Sequence, residues 1–369
     1  MSEFSEIKFG EISGEAEREL NPELIEKGFV DLGSIQEEAL DGNKFLFLGY
    51  KGSGKSFIGE RIDLTQGGNH DRFVKKISLA DFPYTPFSKI IKGDIEPEAK
   101  HPTAWLLILL IYVIESFHKD AGANHPDAEE FQKVIELFKA LGVSPEATPS
   151  SIAQISAKKS FSLKLPHNLL EYKIEGAGYR SADDIFSFVN VLNNFVSGLR
   201  SSNRHFLIID GLDDILSSRG VQYPSLYALI NQTRELNSNF VKCGVPFKII
   251  VFCRTELFDR IAGPNKNKIR NAYGIDLDWY HDPNEPDNSM LVRGANLRAN
   301  LSIGRESDIF KEFLPSHVYG RPTRQYLLDM TRHTPRDFFQ ILFFIQKFCG
   351  AGEIKESQLK SGIREYSLK

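Results

Sequence analysis

Cysteine is scarce in this chain of 369 residues: there are three, Cys243, Cys253 and Cys349. None belongs to a C-x-x-C pair, and three cannot all pair with one another, so a disulfide framework is not expected. The plain expectation is a reduced, cytosolic compartment in which the thiols serve as small core residues. Long hydrophobic runs are also missing. The most apolar stretch, from Trp105 to Ile114, has about half the length that spans a bilayer. It predicts a buried helix over Ala104–Phe117, starting after Pro102 and Thr103, and no membrane anchor. The opening M-S-E-F-S-E-I-K-F-G is acidic and lacks the basic and apolar regions of a signal peptide. The net charge of −4 argues against a protein that coats nucleic acid along its whole surface, and leaves room for a local basic patch. No internal repeat and no nuclease, protease or TIR-like segment is legible. The 41% hydrophobic and 25% charged content is that of an ordinary globular chain.

What the chain does have is K-F-L-F-L-G-Y-K-G-S-G-K-S-F-I-G-E-R, from Lys44 to Arg61. Phe45–Leu48 is a short apolar run that fits a buried strand, and Phe57–Leu64 has the apolar spacing of a helix. Between them Gly49–Ser56 spells G-x-x-x-x-G-K-S. Strand, loop and helix are the context of a phosphate-binding P-loop. A polyphosphate needs many donors at close range. Gly49, Gly52 and Gly54 let the backbone approach without a side chain in the way. The amides of Tyr50, Lys51, Gly52, Ser53, Gly54, Lys55 and Ser56 then point inward at the positive end of the helix that Phe57 continues. Lys55 is the candidate for the β- and γ-phosphates of ATP, and the Ser56 hydroxyl for Mg²⁺. The competing structural reading is a glycine-rich turn with no ligand.

The second informative stretch is H-F-L-I-I-D-G-L-D-D-I-L, from His205 to Leu216. An apolar run ending in an aspartate is common. Behind a full P-loop it reads as a strand lying beside the P-loop strand, with Asp210 in the Mg²⁺ shell through a water. Asp213 and Asp214 are candidates to orient the attacking water, Asp214 ahead of Asp213.

Elsewhere the patterning predicts helices starting at Asn21-Pro22 and, capped by Ser34, ending at Gly42. Further helices are expected at Ala128–Leu141, with Phe131, Val134, Ile135 and Phe138 on one face, from Ser181 to Leu199, over Tyr223–Phe240 and over Glu256–Ile261. Strands are expected at Phe73–Leu79, Pro246–Cys253 and Ala272–Trp279. Asp81–Pro97 reads as a loop, and Gly142–Tyr179 as an insertion with strand-like runs at Phe161–Leu165 and Leu169–Ile174. The pair Lys158-Lys159 reads as solvated surface. After the acidic link Tyr280–Asn288, five segments read helical: Met290–Leu301, Ser307–Leu314, Thr323–Arg332, Arg336–Phe348 and Ser357–Tyr366. The expected fold class is α/β, a P-loop NTPase of the ASCE type with a three-layer α/β/α parallel sheet, followed by an α-helical lid. The expected domains are an N-terminal helical segment (1–43), the core (44–286, with an insertion at about 100–180) and the lid (287–369).

D-G-L-D-D at Asp210–Asp214 resembles the D-G-h-D-E form of NACHT-type and related STAND ATPases. It departs from that form at Asp214, where Glu is commoner. The shorter side chain implies slow hydrolysis. Arg254, ending the Phe247–Cys253 run, is similar to the sensor-1 position of AAA+ and STAND proteins. T-R-H-T-P-R-D-F-F-Q, from Thr331 to Gln340, resembles the sensor-2 helix of origin-recognition-like AAA+ proteins and implies that Arg336 reaches the nucleotide from the lid; His333 is a lesser candidate. In ATPases of this general type the segment before the P-loop strand packs on adenine, which makes Phe29 and Val30 candidates; core packing is the competing role. The layout as a whole resembles free-standing bacterial P-loop ATPases of the defence-associated kind.

The resemblance implies an ATP- and Mg²⁺-dependent switch, homo-oligomeric, with Arg260 or Arg270 as a finger from a neighbour and a separately encoded effector protein as partner. The alternative is an ATP-dependent DNA-binding or DNA-loading module. It would use the basic loop Gly263–Arg270, whose bland reading is a solvated turn, and a winged-helix-like end. A small-molecule kinase is a third class, disfavoured by the helical tail and by D-G-L-D-D.

Overall fold

A computed structural model describes residues 3–80, 87, 97–141, 148–149, 151–152, 183–212, 223–279, 282, 285–350 and 354–368. In chain order, helices α1 (Glu3–Glu6), α2 (Gly14–Leu20), α3 (Pro22–Lys27) and α4 (Ile35–Leu40) precede β1 (Leu46–Gly49), α5 (Lys55–Gly67) and β2 (Arg72–Ser78). Helices α6 (Pro97–Lys119), α7 (Ala128–Leu141) and α8 (Asp183–Ser197) come next, then β3 (Arg204–Asp210), α9 (Tyr223–Cys243) and β4 (Phe247–Arg254). Helices α10 (Thr255–Arg260) and α11 (Lys266–Tyr273) lead into β5 (Gly274–Asp276). The remainder is α12 (Met290–Ile303), α13 (Ile309–Glu312), the hairpin β6 (His317–Val318) and β7 (Arg321–Pro322), α14 (Thr323–Asp329), α15 (Pro335–Gln346) and α16 (Glu356–Ser367). The fold is α/β with a C-terminal helical part.

The strand order in the main sheet is β2-β3-β4-β1-β5. β3 therefore does not lie beside β1, as the sequence suggested; β4 intervenes, and Val251 N–H donates to Phe45 O. The cause is that the β3–α9–β4 crossover returns its strand to the inner edge of β3. The β2–β3 and β3–β4 pairs are parallel. β3 is buried from His205 to Asp210, which explains its run of large apolar residues.

The chain forms two compact units. One comprises Asn43–Leu46 and Gln66–Gly274. In it α6 packs on α9 and α8, and Trp105 Nε1 donates to Ser225 Oγ at 2.9 Å. Helix α6 starts at Pro97, earlier than expected, with Pro102 inside it. Proline that near a helix start forfeits one backbone bond, and the burial of Trp105 and of Leu107 through Val113 outweighs it at about 1.5–3 kcal/mol per large side chain. Among the described residues it is the one helix long and apolar enough to cross a membrane, and 72% of that window is buried in the protein. In α7, Val134, Ile135 and Phe138 are buried as expected. Part of the supposed basic turn Gly263–Arg270 is helical, belonging to α11, so the strand expected over Ala272–Trp279 shrinks to β5.

The other unit comprises Met1–Gly42, Phe47–Thr65 and Ile275–Lys369. Its core joins Phe4, Ile7 and Phe9 to Leu291, Leu327, Phe338, Ile341, Ile345 and Leu359. Helices α15 and α16 cross so closely that a Cβ on Gly362 would sit 2.5 Å from Ile345 Cα. Helix α3 starts at Pro22 as the sequence indicated. Ser34 does not cap α4: it is left-handed (φ 62°) and makes no side-chain cap bond. Asp31 Oδ1 instead accepts from Ile35 N at 2.7 Å. The hairpin β6–β7 was not legible, because its strands have two residues each. The runs Phe161–Leu165 and Leu169–Ile174, Lys158-Lys159 and Ser181 lie outside the described residues, as does most of Asp81–Pro97.

Candidate functional site

The glycine-rich loop leaves β1 at Gly49 and enters α5 at Lys55. Gly52 and Gly54 take positive φ, 88° and 92°, which L side chains rarely adopt. A Cβ on Gly49 would overlap the Ser53 side chain and meet Leu277 Cβ at 3.2 Å. These glycines are thus fixed by backbone conformation and by close approach. Lys55 is buried, and its Nζ donates to the carbonyls of Gly49 (2.9 Å) and Tyr50 (3.1 Å). The loop is wrapped around its own ammonium group, with the N-terminus of a 13-residue helix behind it. Ser53 Oγ is buried without a hydrogen-bond partner among the described residues. Ser56 and Phe57 are half-buried, while Tyr50 and Lys51 are exposed.

The loop is held from the C-terminal side of the chain. Leu277 N–H donates to Leu48 O at 2.6 Å, and Trp279 Nε1 donates to Ser53 O at 2.9 Å. Arg336 N–H donates to Gly52 O at 3.3 Å, and a Cβ on Gly52 would lie 3.1 Å from both Arg336 Cβ and Thr334 Oγ1. Thr334 is the N-cap of α15, its hydroxyl accepting from Asp337 N, and Pro335 fills the first helical position. Arg336 is therefore brought to the loop. Its chain neighbour Asp337 pairs with Arg332 instead (2.5 and 2.9 Å), and Asp329 pairs with Arg321. His333, just before the cap, is half-buried and left-handed, with φ 51°.

Phe29 stacks on Phe57, ring centroids 5.9 Å apart at 22°, and the Arg61 guanidinium lies over Phe29 at 4.9 Å. Val30 lies beside Gly294, where a Cβ would meet Val30 Cγ2 at 3.7 Å and Phe339 Cζ at 3.3 Å. Of the two candidates for base contact, Phe29 thus stacks on the residue that follows Ser56, and Val30 lies beside Gly294 of α12.

In the unit of Asn43–Leu46 and Gln66–Gly274, Asp210 ends β3 and is buried. Its Oδ1 accepts from Gly211 N at 2.8 Å, and Lys76 Nζ lies 4.0 Å from Oδ2. Gly211, at φ 75°, has no room for a side chain: a Cβ would be 2.6 Å from Ser78 Oγ and 3.0 Å from Ala80 N. Asp213 and Asp214 lie outside the described residues. Arg254 is half-buried at the end of β4; it is the N-cap residue of α10 and makes no side-chain cap bond. Arg260 is hydrogen-bonded to Tyr223, and Arg270 pairs with Asp259 at 3.0 Å. Lys266 Nζ donates to Asp259 O at 2.7 Å, so two charges of the basic stretch Gly263–Arg270 are engaged within the chain.

Trp279, Thr334 and Lys76 did not stand out in the sequence. Thr334-Pro335 carried a readable signal, a cap residue followed by proline. Lys76 sits in an alternating strand, where its neighbour across the sheet cannot be read. Among the described residues no group of His, Cys, Asp and Glu side chains forms a metal cluster.

Residues 289–369 match the family model described as the FunZ-associated C-terminal helical domain. The chain matches no curated protein and no solved structure.

Proposed function

We propose that the chain is an ATP-binding and ATP-hydrolysing molecular switch of the STAND/AAA+ kind, acting as an oligomerising component of a bacterial anti-phage or stress defence system. The observation that carries this reading is the loop itself. Two glycines of positive φ and a buried lysine curled onto the carbonyls of Gly49 and Tyr50 leave Lys55 poised to exchange those weak acceptors for phosphate oxygens. The Ser53 hydroxyl, without a hydrogen-bond partner among the described residues, fits a ligand-accepting loop better than a purely structural turn. The strand order β2-β3-β4-β1-β5 supports the ASCE-type assignment. The FunZ-associated description of residues 289–369 supports the defence context.

In this reading Lys55 neutralises the β- and γ-phosphates, and the loop amides bind their oxygens. Ser56, and Asp210 through a water, hold Mg²⁺, which screens the charge of the transferred group. Asp214 or Asp213 orients the attacking water, and Arg254 contacts the γ-phosphate. Arg336 extends from the N-terminal turn of α15 toward the same phosphate, so its contact is made with ATP and lost with ADP. A trans-acting arginine and an effector partner belong to the assembly reading, which requires more than one copy.

The experiment is equilibrium titration of MgATP into the full chain and its Lys55→Ala variant, with molar mass by light scattering. Binding weakened about 10- to 100-fold in the variant is expected for loss of a charged hydrogen-bonding group. Equal affinity of the two proteins, or no binding by the wild type, would overturn the reading.

A further inference from the structure

One charge in the sheet lies where an apolar side chain is expected. Lys76 is the fifth residue of β2. The parallel register carries its row across the sheet through Ile208 of β3 to Ile250 of β4. Both isoleucines have no exposed surface. The Lys76 side chain keeps only 15% exposure, so its ammonium group has given up most of its water. An apolar residue in that row would not carry this cost.

The next row shows what the lysine faces. It pairs Ser78 with Asp210. The Asp210 side chain is 8% exposed, and Lys76 Nζ stands 4.0 Å from its Oδ2, while Oδ1 accepts from Gly211 N at 2.8 Å. The strand ends are clamped together here. Leu79 N–H donates to Asp210 O at 2.9 Å, and Gly211 is so close to Ser78 that a Cβ would meet its Oγ at 2.6 Å. The backbone therefore holds the ammonium and the carboxylate at this separation. Lys76 and Asp210 together carry no net charge, and offer a free divalent cation little attraction. A cation approaching Asp210 is also repelled by the ammonium.

We infer that Lys76 is the resident counter-ion of Asp210 and sets the order of ligand entry: a divalent cation reaches Asp210 together with a polyphosphate and not ahead of it. The inference rests on the reading of Asp210 as part of the Mg²⁺ shell. Lys76 is a positioning residue, acting through Asp210. Removing its charge leaves a buried carboxylate uncompensated, and such a carboxylate gains from any metal ion that can reach it.

Mn²⁺ is the probe, because electron paramagnetic resonance reads its binding without turnover. It is titrated into the nucleotide-free full chain as wild type, Lys76→Met, Lys76→Arg and the double variant Lys76→Met/Asp210→Asn. Lys76→Met should bind Mn²⁺ about tenfold more tightly than the wild type, or better, for the loss of one unit of positive charge beside the carboxylate. Lys76→Arg should stay with the wild type, and the double variant should lose the gain. With ATP present the wild type should bind Mn²⁺ tightly, and the advantage of Lys76→Met should shrink. Urea unfolding of each protein keeps folding apart from binding. A merely structural pair would lower stability in Lys76→Met and leave Mn²⁺ affinity where it was. That result, or a gain that survives in the double variant, overturns the inference. So does Mn²⁺ binding by the wild type that is as tight without ATP as with it, a result that needs no variant to fold. Each of these leaves MgATP binding by the wild type, and with it the reading of the loop, standing. Absence of MgATP binding by the wild type overturns both.

Discussion

Acid should destabilise the unit of Asn43–Leu46 and Gln66–Gly274 through one histidine. His205 has no exposed surface. It lies between the rings of Phe117 (4.1 Å) and Phe73 (4.9 Å), both stacked on it. Its Nδ1 is 2.8 Å from Ser116 Oγ and its Nε2 3.2 Å from Asp120 Oδ2. The neutral tautomer that satisfies both donates Nε2–H to Asp120 and accepts from Ser116. Asp120 is further held by Ser201 (2.5 Å), Asn203 (2.8 Å) and Gly122 N–H (2.8 Å). Burial pushes the His205 pKa down to about 4, against the opposing pull of Asp120. The unfolded chain, with an ordinary histidine near 6.5, binds the proton first. Stability is therefore full above pH 6.5 and falls as the pH drops toward 4, by roughly 3 kcal/mol at 1.36 kcal/mol per pKa unit. Burial also raises the Asp120 pKa, but the hydrogen bonds from Ser201, Gly122 and Asn203 and the His205 charge together leave it below its usual value. Its contribution has the same sign and is lost at still lower pH. Urea unfolding of the wild type and His205→Phe, at steps from pH 7.5 to pH 4, measures the difference. The variant should be less stable at neutral pH and should lack about 3 kcal/mol of the wild-type decline across that window. Parallel curves would refute the assignment of a neutral, buried imidazole.

Three shorter predictions concern the site. Gly52→Val forces a β-branched residue to φ 88° with its Cβ 3.1 Å from Thr334 Oγ1, and should lower stability by about 1–3 kcal/mol in thermal or urea unfolding, with ATP binding weakened. Trp279→Phe deletes the donor to Ser53 O while keeping a large ring, so it should cost about 1 kcal/mol and raise amide exchange in the loop. Asp210→Asn should reduce Mg²⁺-dependent turnover by about 10- to 100-fold and weaken magnesium-free nucleotide binding little, as measured by phosphate release and titration with EDTA.

The glycine-rich loop was legible because its requirements are local: positive φ at Gly52 and Gly54, and a lysine at the first turn of a helix. β3 and β4 were legible because central parallel strands must be apolar on both faces. The neighbour of a strand is set by a crossover that no short pattern records, and so β4 between β3 and β1 was missed. The cap of α4 was misread for a related reason. Ser34 has the right chemistry, but Gly33 and Ser34 are both left-handed, and that turn hands the role to Asp31. Helix α11 was hidden by its composition: K-N-K-I-R-N-A-Y reads as polar loop, and it is held by Ile269 alone among its buried residues. Arg298 could not be found from sequence at all, since an arginine buried against a glutamate far along the chain, Glu17, looks like any surface arginine.

In the unit that holds Ile275–Lys369, the packing bears on what the helices of the matched segment can report. Arg336 N–H and the Thr334 cap meet Gly52 at the tip of the loop, while Arg298 meets Phe57 at the loop's exit. Both arrive from residues 289–369, the segment that matches the FunZ-associated helical domain. Phe338 and Phe339 tie these contacts to the interior, because Phe338 is buried in the core of that domain and Phe339 carries Arg298. The loop therefore does not need a separate flap to communicate its state. Gly52 touches the first turn of α15, and Phe57 touches Arg298 of α12, the two helices that share this core. Close-packed cores respond to displacements at such contacts by shifting whole helices rather than absorbing them locally. A ligand that altered the loop would thus be registered at two points of one helical body. Which of the two carries more can be read from hydrogen exchange on α12 and α15 in Gly52→Val against Arg298→Lys.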